Sequence, residues 1–210
     1  MYLSDVRTHM AETKREKSLE ISEFLYNKMF EEFADKNGRI PLLEDKDAKA
    51  FNNWGLALSH LAQISLSQGK EKEAIKKLNE ACKKYTKALK YRERLPDFGA
   101  RVYYSFGSAL LMRFKLFGEE KIKRDASDKF ISAGNIFLKL GAITFAIVSF
   151  QKSFELGNQD AGVFLAFCLS LEEKMKEAKE ILSKINVNEL SEPGKKIYDK
   201  IFKQFLEQSL

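Results

Sequence analysis

The residues with the most chemistry to offer are cationic. Lys76, Lys83, Lys87, Lys90 and Arg94 recur at intervals of 7, 4, 3 and 4. At about 100° per residue they fall on one side of a helix. Ala74, Leu78, Ala81 and Tyr85 fall on the opposite side. Residues 70–97 hold ten Lys or Arg against five Asp or Glu, so most of the chain's net charge of +6 gathers there. Such a stripe suits an acidic protein, a nucleic-acid backbone or an anionic membrane surface. The plain alternative is the solvated back of a helix. Binding of nucleic acid also calls for aromatic rings on the same face, and only Tyr91 adjoins it. A charge of +6 on the whole chain is far from the balance of a dedicated nucleic-acid binder.

The remaining reactive types form no constellation. His9 and His60 have no ligand spacing, and Cys82 and Cys168 stand 86 positions apart without a CxxC partner. No Gly-rich phosphate loop, GxSxG or HExxH occurs. The paired carboxylates Glu31-Glu32, Glu119-Glu120 and Glu172-Glu173 fall at predicted helix ends or exposed faces. With no Cys–His pairing, nucleophilic catalysis has nothing to build on. The expectation is a protein that is not an enzyme and holds no metal or cofactor. Cysteine usage points to an intracellular reducing compartment, cytoplasmic or organelle-associated. Asp5, Glu12, Glu16 and Glu20 argue against a transit peptide, and no apolar run fits a secretory signal or a transmembrane span.

The elements that position these residues read as helices throughout. The chain has 210 residues and only three prolines, Pro41, Pro96 and Pro193, and long proline-free stretches suit helices. Seventeen Phe are explained by helix–helix contacts. Residues 1–18 are polar, with a thin apolar trace at Leu3, Val6 and Met10, and read as a frayed helix or an arm. From Leu19, the residues Ile21, Phe24, Leu25, Met29, Phe30 and Phe33 form one helical stripe. Asn37-Gly38 and Pro41 stop it, and residues 38–47 form a linker. Trp54, Leu58, Leu61, Ala62 and Ser65 then share a helix face, Gly69 breaks the helix, and Ala74 through Tyr85 line the next. Trp54 is expected in the core.

Two kinds of repetition follow. A shift of 52 carries Trp54, Gly55, Ala57 and Leu58 onto Phe106, Gly107, Ala109 and Leu110. It also carries Ala74, Leu78, Ala81 and Tyr85 onto Ala126, Phe130, Ala133 and Phe137. Eight matches at one offset predict an internal duplication. The copy departs where Leu61 becomes Arg113 and Gly69 becomes Lys121, with its turn moved to Gly118. The shorter pattern is Phe130-x2-Ala133-Gly134-x2-Phe137, then Ala146-x3-Phe150, with a turn at Gly141. Small residues let two helices approach while the large rings fill the space around the contact. Phe130 belongs to both patterns. Gly157-Asn158 ends the next helix. Leu165-Ala166-x2-Leu169, then Ala178-x3-Leu182, gives one more pair, with a turn near Glu172–Lys174 that lacks a glycine.

In these spacings the chain resembles tetratricopeptide-type helical repeat proteins over residues 48–186. The resemblance implies an all-α solenoid of helical hairpins with capping helices at both ends. Residues 1–45 form an arm and helix. Residues 46–190 form repeats at about 48–95, 98–140, 142–158 and 161–186. Residues 191–210 form the C-terminal cap, opened by Ser191 and Pro193 and striped by Ile197, Tyr198, Ile201, Phe202, Phe205 and Leu206. It further implies a scaffold or adaptor subunit, within a larger complex, that holds a partner's peptide or helix on the concave face. The residues placed there are Asn53, Leu56, His60 and Gln63, with Ser105, Ser108, Met112 and Lys115 in the copy. Two alternatives stand beside it. One is an RNA-binding solenoid using the basic stripe. The other is a receptor at an organelle surface, because Asn52-Asn53-Trp54-Gly55 resembles plant-type mitochondrial import receptors of this repeat class.

Overall fold

The computed structural model describes residues 13–21, 23–25, 44–91 and 96–207. Among them every regular element is helical and no strand occurs. Residues 13–21 form α1, and residues 23–25 are also helical. The longer helices are α2 (Glu44–Ser67), α3 (Glu71–Ala88), α4 (Pro96–Phe117), α5 (Glu120–Lys139), α6 (Ile143–Glu155), α7 (Gln159–Leu171), α8 (Met175–Ser183) and α9 (Glu192–Glu207). Short 3₁₀ turns cover Leu89–Tyr91 and Val187–Glu189. The chain divides into two compact units, Met1–Phe117 and Gly118–Leu210. Met29, Phe30, Phe33, Asn37-Gly38, Pro41 and Arg94 lie outside the described residues, as do the first twelve residues. The expected linker ends early, because α2 is already helical from Glu44.

Four turns are built alike. After α2, Lys70 N–H donates to Ser65 O at 2.8 Å and Gly69 N–H to Leu66 O at 3.0 Å. The same pair of bonds recurs from Ala142 and Gly141, from Asn158 and Gly157, and from Lys174 and Glu173. This is the Schellman ending, in which a residue of positive φ lets the chain reverse while satisfying the helix's last carbonyls. Gly69, Gly141 and Gly157 take φ of 74°, 72° and 94°, and Glu173 takes 59° in the turn expected to lack a glycine. Four residues into each following helix stands Ala74, Ala146, Gly162 or Ala178, all buried. A small residue there lets the returning helix approach its predecessor closely.

In unit one, α3 buries Ala74, Leu78, Ala81, Tyr85 and Ala88, one residue every three or four, against α2. Phe51, Trp54, Leu58 and Ala62 of α2 and Val102 and Ala109 of α4 complete that core, with Trp54 buried as expected. The ring of Tyr85 lies so close to Gly55 that an added Cβ would stand 2.7 Å from it. The same ring stacks on Phe106 of α4 at 5.8 Å between centroids. Its hydroxyl meets Ser59 Oγ at 3.2 Å, and Ser59 in turn donates to Gly55 O at 2.9 Å.

In unit two, α5, α6, α7 and α8 pack in succession, and α9 packs on α7. Phe150 of α6 covers Gly134 of α5, where a Cβ would stand 2.7 Å from its ring. It also stacks on Phe164 of α7 at 5.3 Å. Ser127 and Ser153 join hydroxyls across α5 and α6 at 2.7 Å, both buried. The start of α7 fixes the approach to α9. Gln159 Oε1 accepts from Asn186 N–H at 3.0 Å and Asp160 Oδ1 from Ser191 N–H at 2.9 Å.

Candidate partner-binding faces

The residues Asn53, Leu56, His60 and Gln63 follow the helical spacing of α2, and the structure gives them unequal surroundings. Asn53 and Gln63 are exposed, His60 is half-buried, and Leu56 packs against the unit-one core. The C-terminal half of this face is covered by the chain itself. Arg15 of α1 donates from Nη2 to His60 Nδ1 at 3.1 Å. Gln68 Nε2 donates to the Glu16 carboxylate at 3.3 Å. Beyond α1, Glu23 pairs with Lys77 of α3 at 2.5 Å. Between α1 and α2 remains a cavity of about 470 Å³, lined among others by Thr13, Arg15, Glu16, His60, Gln63 and Gln68.

The hydrogen bonds from Arg15 and Glu16 are polar contacts of α1 with α2 and the turn after it, while Ile21, Phe24 and Leu25 are 59%, 62% and 57% exposed. The described part of the N-terminal apolar stripe therefore points into solvent. Burial, and then the Arg15 charge, hold His60 below its usual pKa. With Nδ1 accepting from Arg15, a neutral His60 carries its proton on Nε2.

The counterpart residues lie on α4 and take no part in that cavity. Ser105 is half-buried, Ser108 Oγ donates to Tyr104 O at 3.0 Å, Met112 packs against the core, and Lys115 is exposed. Arg113, which the shift of 52 sets against Leu61, faces Cys82 of α3. Its charge and hydrogen bond work against the burial that raises that thiol's pKa. Cys168 is buried and pushed up to about 12. Both thiols are held protonated at neutral pH, the inert state of a cysteine. Among the described residues no group of three or more His, Cys, Asp or Glu is placed to hold a metal ion. No described helix is long and apolar enough to cross a membrane.

Four of the five members of the basic stripe fall among the described residues. Lys76, Lys83, Lys87 and Lys90 are all exposed. Sequence reading passed over the adjacent Lys84. Its Nζ stands 3.0 Å from the centroid of the Trp54 ring and 3.6 Å from Glu80. Burial, only partly offset by Glu80, brings its pKa down to about 8. Lys87 Nζ sits 5.1 Å from the centroid of Phe51. A lysine over an aromatic face gains about 0.5–2 kcal/mol. The cost is to seal the ring, and Trp54 and Phe51 are each only 3% exposed. The missed signal was the four-carbon stem of lysine, which spans apolar surface while its head stays near water.

No protein-family model matches the chain, and no curated protein sequence matches it.

Proposed function

We propose that the chain is a protein–protein interaction module, a scaffold or adaptor subunit. Its hairpins would continue as a tetratricopeptide-like solenoid, with α9 and the N-terminal helix as its ends. The partner would be a helix or extended segment laid along the α2 face. One observation carries this reading: α1 already lies along the His60–Gln68 part of that face through side-chain hydrogen bonds and leaves a cavity beside it. Contacts of this kind hold a helix weakly, because exposed hydrogen bonds and ion pairs contribute about 1 kcal/mol or less each. A partner can therefore displace α1 or use the cavity next to it. The reading assigns no catalytic step, in keeping with thiols that burial keeps protonated.

The test compares the full chain with a His60→Ala, Gln63→Ala variant in affinity purification from the native source. The expected result is a protein recovered by the first and lost by the second, with circular dichroism unchanged. Equal recovery by both would overturn the reading. The α1 contact should also respond to acid. Protonating His60 beside Arg15 sets two cations together, so the docked state favours the neutral ring. Docking is complete above pH about 6.5 and is lost as pH falls through the lower pKa of docked His60. Hydrogen exchange of residues 13–21 should then speed up on acidification, and His60→Gln should remove that dependence.

A further inference from the structure

From residue 76 onward the outward side of α3 carries Lys76, Asn79, Lys83, Thr86 and Lys87, all exposed, and no exposed carboxylate; Lys90, also exposed, follows in the 3₁₀ turn Leu89–Tyr91. The acids of the first turn, Glu71 and Glu73, stand at the other end of the helix. Glu80 is half-buried and already faces Lys84. Among the described residues, no ion pair reaches Lys76, Lys83, Lys87 or Lys90. Lys76, Lys83 and Lys87 fall within about 40° of arc and run for about 17 Å, and Lys90 extends the file past the end of the helix. That is a single narrow file of cations, whereas an evenly solvated helix back interleaves both signs.

We infer that this lysine file of α3 is a docking surface for an acidic helix of a partner protein. Two observations favour a helix over a nucleic-acid strand. The intervals of 7, 4 and 3 are those at which carboxylates recur along one face of a second α-helix, so two helices side by side can pair charge with charge. Two aromatic rings under the file, Trp54 and Phe51, lie sealed beneath Lys84 and Lys87, and Tyr85 is fully buried. No ring among them is presented for a base to stack on, and stacking is what holds single strands on such surfaces. The inference does not rest on the α2 face, since the two surfaces share no residue.

The test measures fluorescence anisotropy of the full chain with three probes. The first is a synthetic helical peptide with Glu at the same 7, 4 and 3 intervals, in either direction. The second has the same composition with its Glu spread around the helix. The third is an oligouridine of similar length and charge. The expected result is that the registered peptide binds at least about tenfold tighter than the other two and weakens as salt rises. The exposed changes Lys83→Glu and Lys87→Glu together should abolish that preference, while Lys121→Glu with Lys139→Glu in unit two should leave it intact. Equal binding of the two peptides, tighter binding of the oligouridine, or indifference to the Lys83/Lys87 reversal would each overturn the inference. Changes at His60 and Gln63 should leave this binding untouched, which separates its failure from failure of the α2 face.

Discussion

In unit one a tyrosine ring lies on a glycine of the preceding helix and against a phenylalanine of the following one. In unit two a phenylalanine does the same. Gly55, Tyr85 and Phe106 join α2, α3 and α4, as Gly134, Phe150 and Phe164 join α5, α6 and α7. The two sets differ in distance from the turn. Gly134 stands 7 residues before Gly141 and Phe150 stands 9 after it, whereas Gly55 stands 14 before Gly69 and Tyr85 stands 16 after it. The closer register in unit one is filled by Ala62 and Leu78, both fully buried. The contact has moved one heptad along both helices together, and in an antiparallel pair such a shift keeps partners opposed. The longer helices of unit one thus place the same lock farther from their turn. The second difference is polar. A buried tyrosine needs a partner for its hydroxyl, and Ser59 supplies it. Phe150 needs none, and the nearby serines Ser127 and Ser153 satisfy each other.

The strongest way to break this comparison is to remove the ring. Phe150→Ala should destabilise unit two by about 3–5 kcal/mol, read by denaturant unfolding. Tyr85→Phe in unit one should cost only about 1 kcal/mol, because the ring stays and Ser59 keeps its bond to Gly55 O. Near-equal losses would mean that the hydroxyl, and not the ring, holds the first lock.

A sharper probe adds a methyl group in place of removing a ring. An exposed helix gains about 1 kcal/mol from Gly→Ala. At Gly134 and Gly55 the new Cβ would stand 2.7 Å from a ring atom, and overpacking of this kind costs about 1–3 kcal/mol. Each variant should lose about 1 kcal/mol net in the midpoint of chemical unfolding. A gain at either position would show that the ring slides aside and that the approach is looser than described.

The smallest effect concerns the turns. Glu173 holds a φ of 59° where the equivalent turns have glycine. Left-handed backbone costs a residue bearing a Cβ roughly 1 kcal/mol. Glu173→Gly should recover part of that, less the entropy a glycine adds to the unfolded chain. A rise in the thermal midpoint of unit two is expected, and a fall would show that the Glu173 side chain contributes in its own right.

Much of this was legible in advance for a physical reason. Gly69, Gly141 and Gly157 announce turns because only a residue of positive φ closes them. Phe130, Ala133, Gly134, Ala146 and Phe150 announce a close helix pair because their sizes alternate at helical spacing. The file Lys76, Lys83, Lys87 and Lys90 was readable because exposure follows the same period. The Gly55–Tyr85 contact was not, since its spacing exceeds the short pattern by a heptad on each side. Nor was the place of α1. Arg15 and Glu16 tie it to His60 and Gln68, and single polar contacts between distant positions leave no periodic trace. Ile21, Phe24 and Leu25 show helical spacing, but spacing alone does not say what such a stripe faces, and all three are exposed.

The turns at Gly141, Gly157 and Glu173 are spaced 16 residues apart, and the two helices between them are 13 residues long each. These turns act as phase marks. Each resets which side of the next helix meets the one before, so the rotational bookkeeping is done by length and not by any single side chain. One residue inserted within α6 or α7 would rotate everything downstream by about 100° and carry a polar flank to where Phe150 or Phe164 now sits. The second half of this chain should therefore vary freely in its outward residues and hardly at all in the length of its helices.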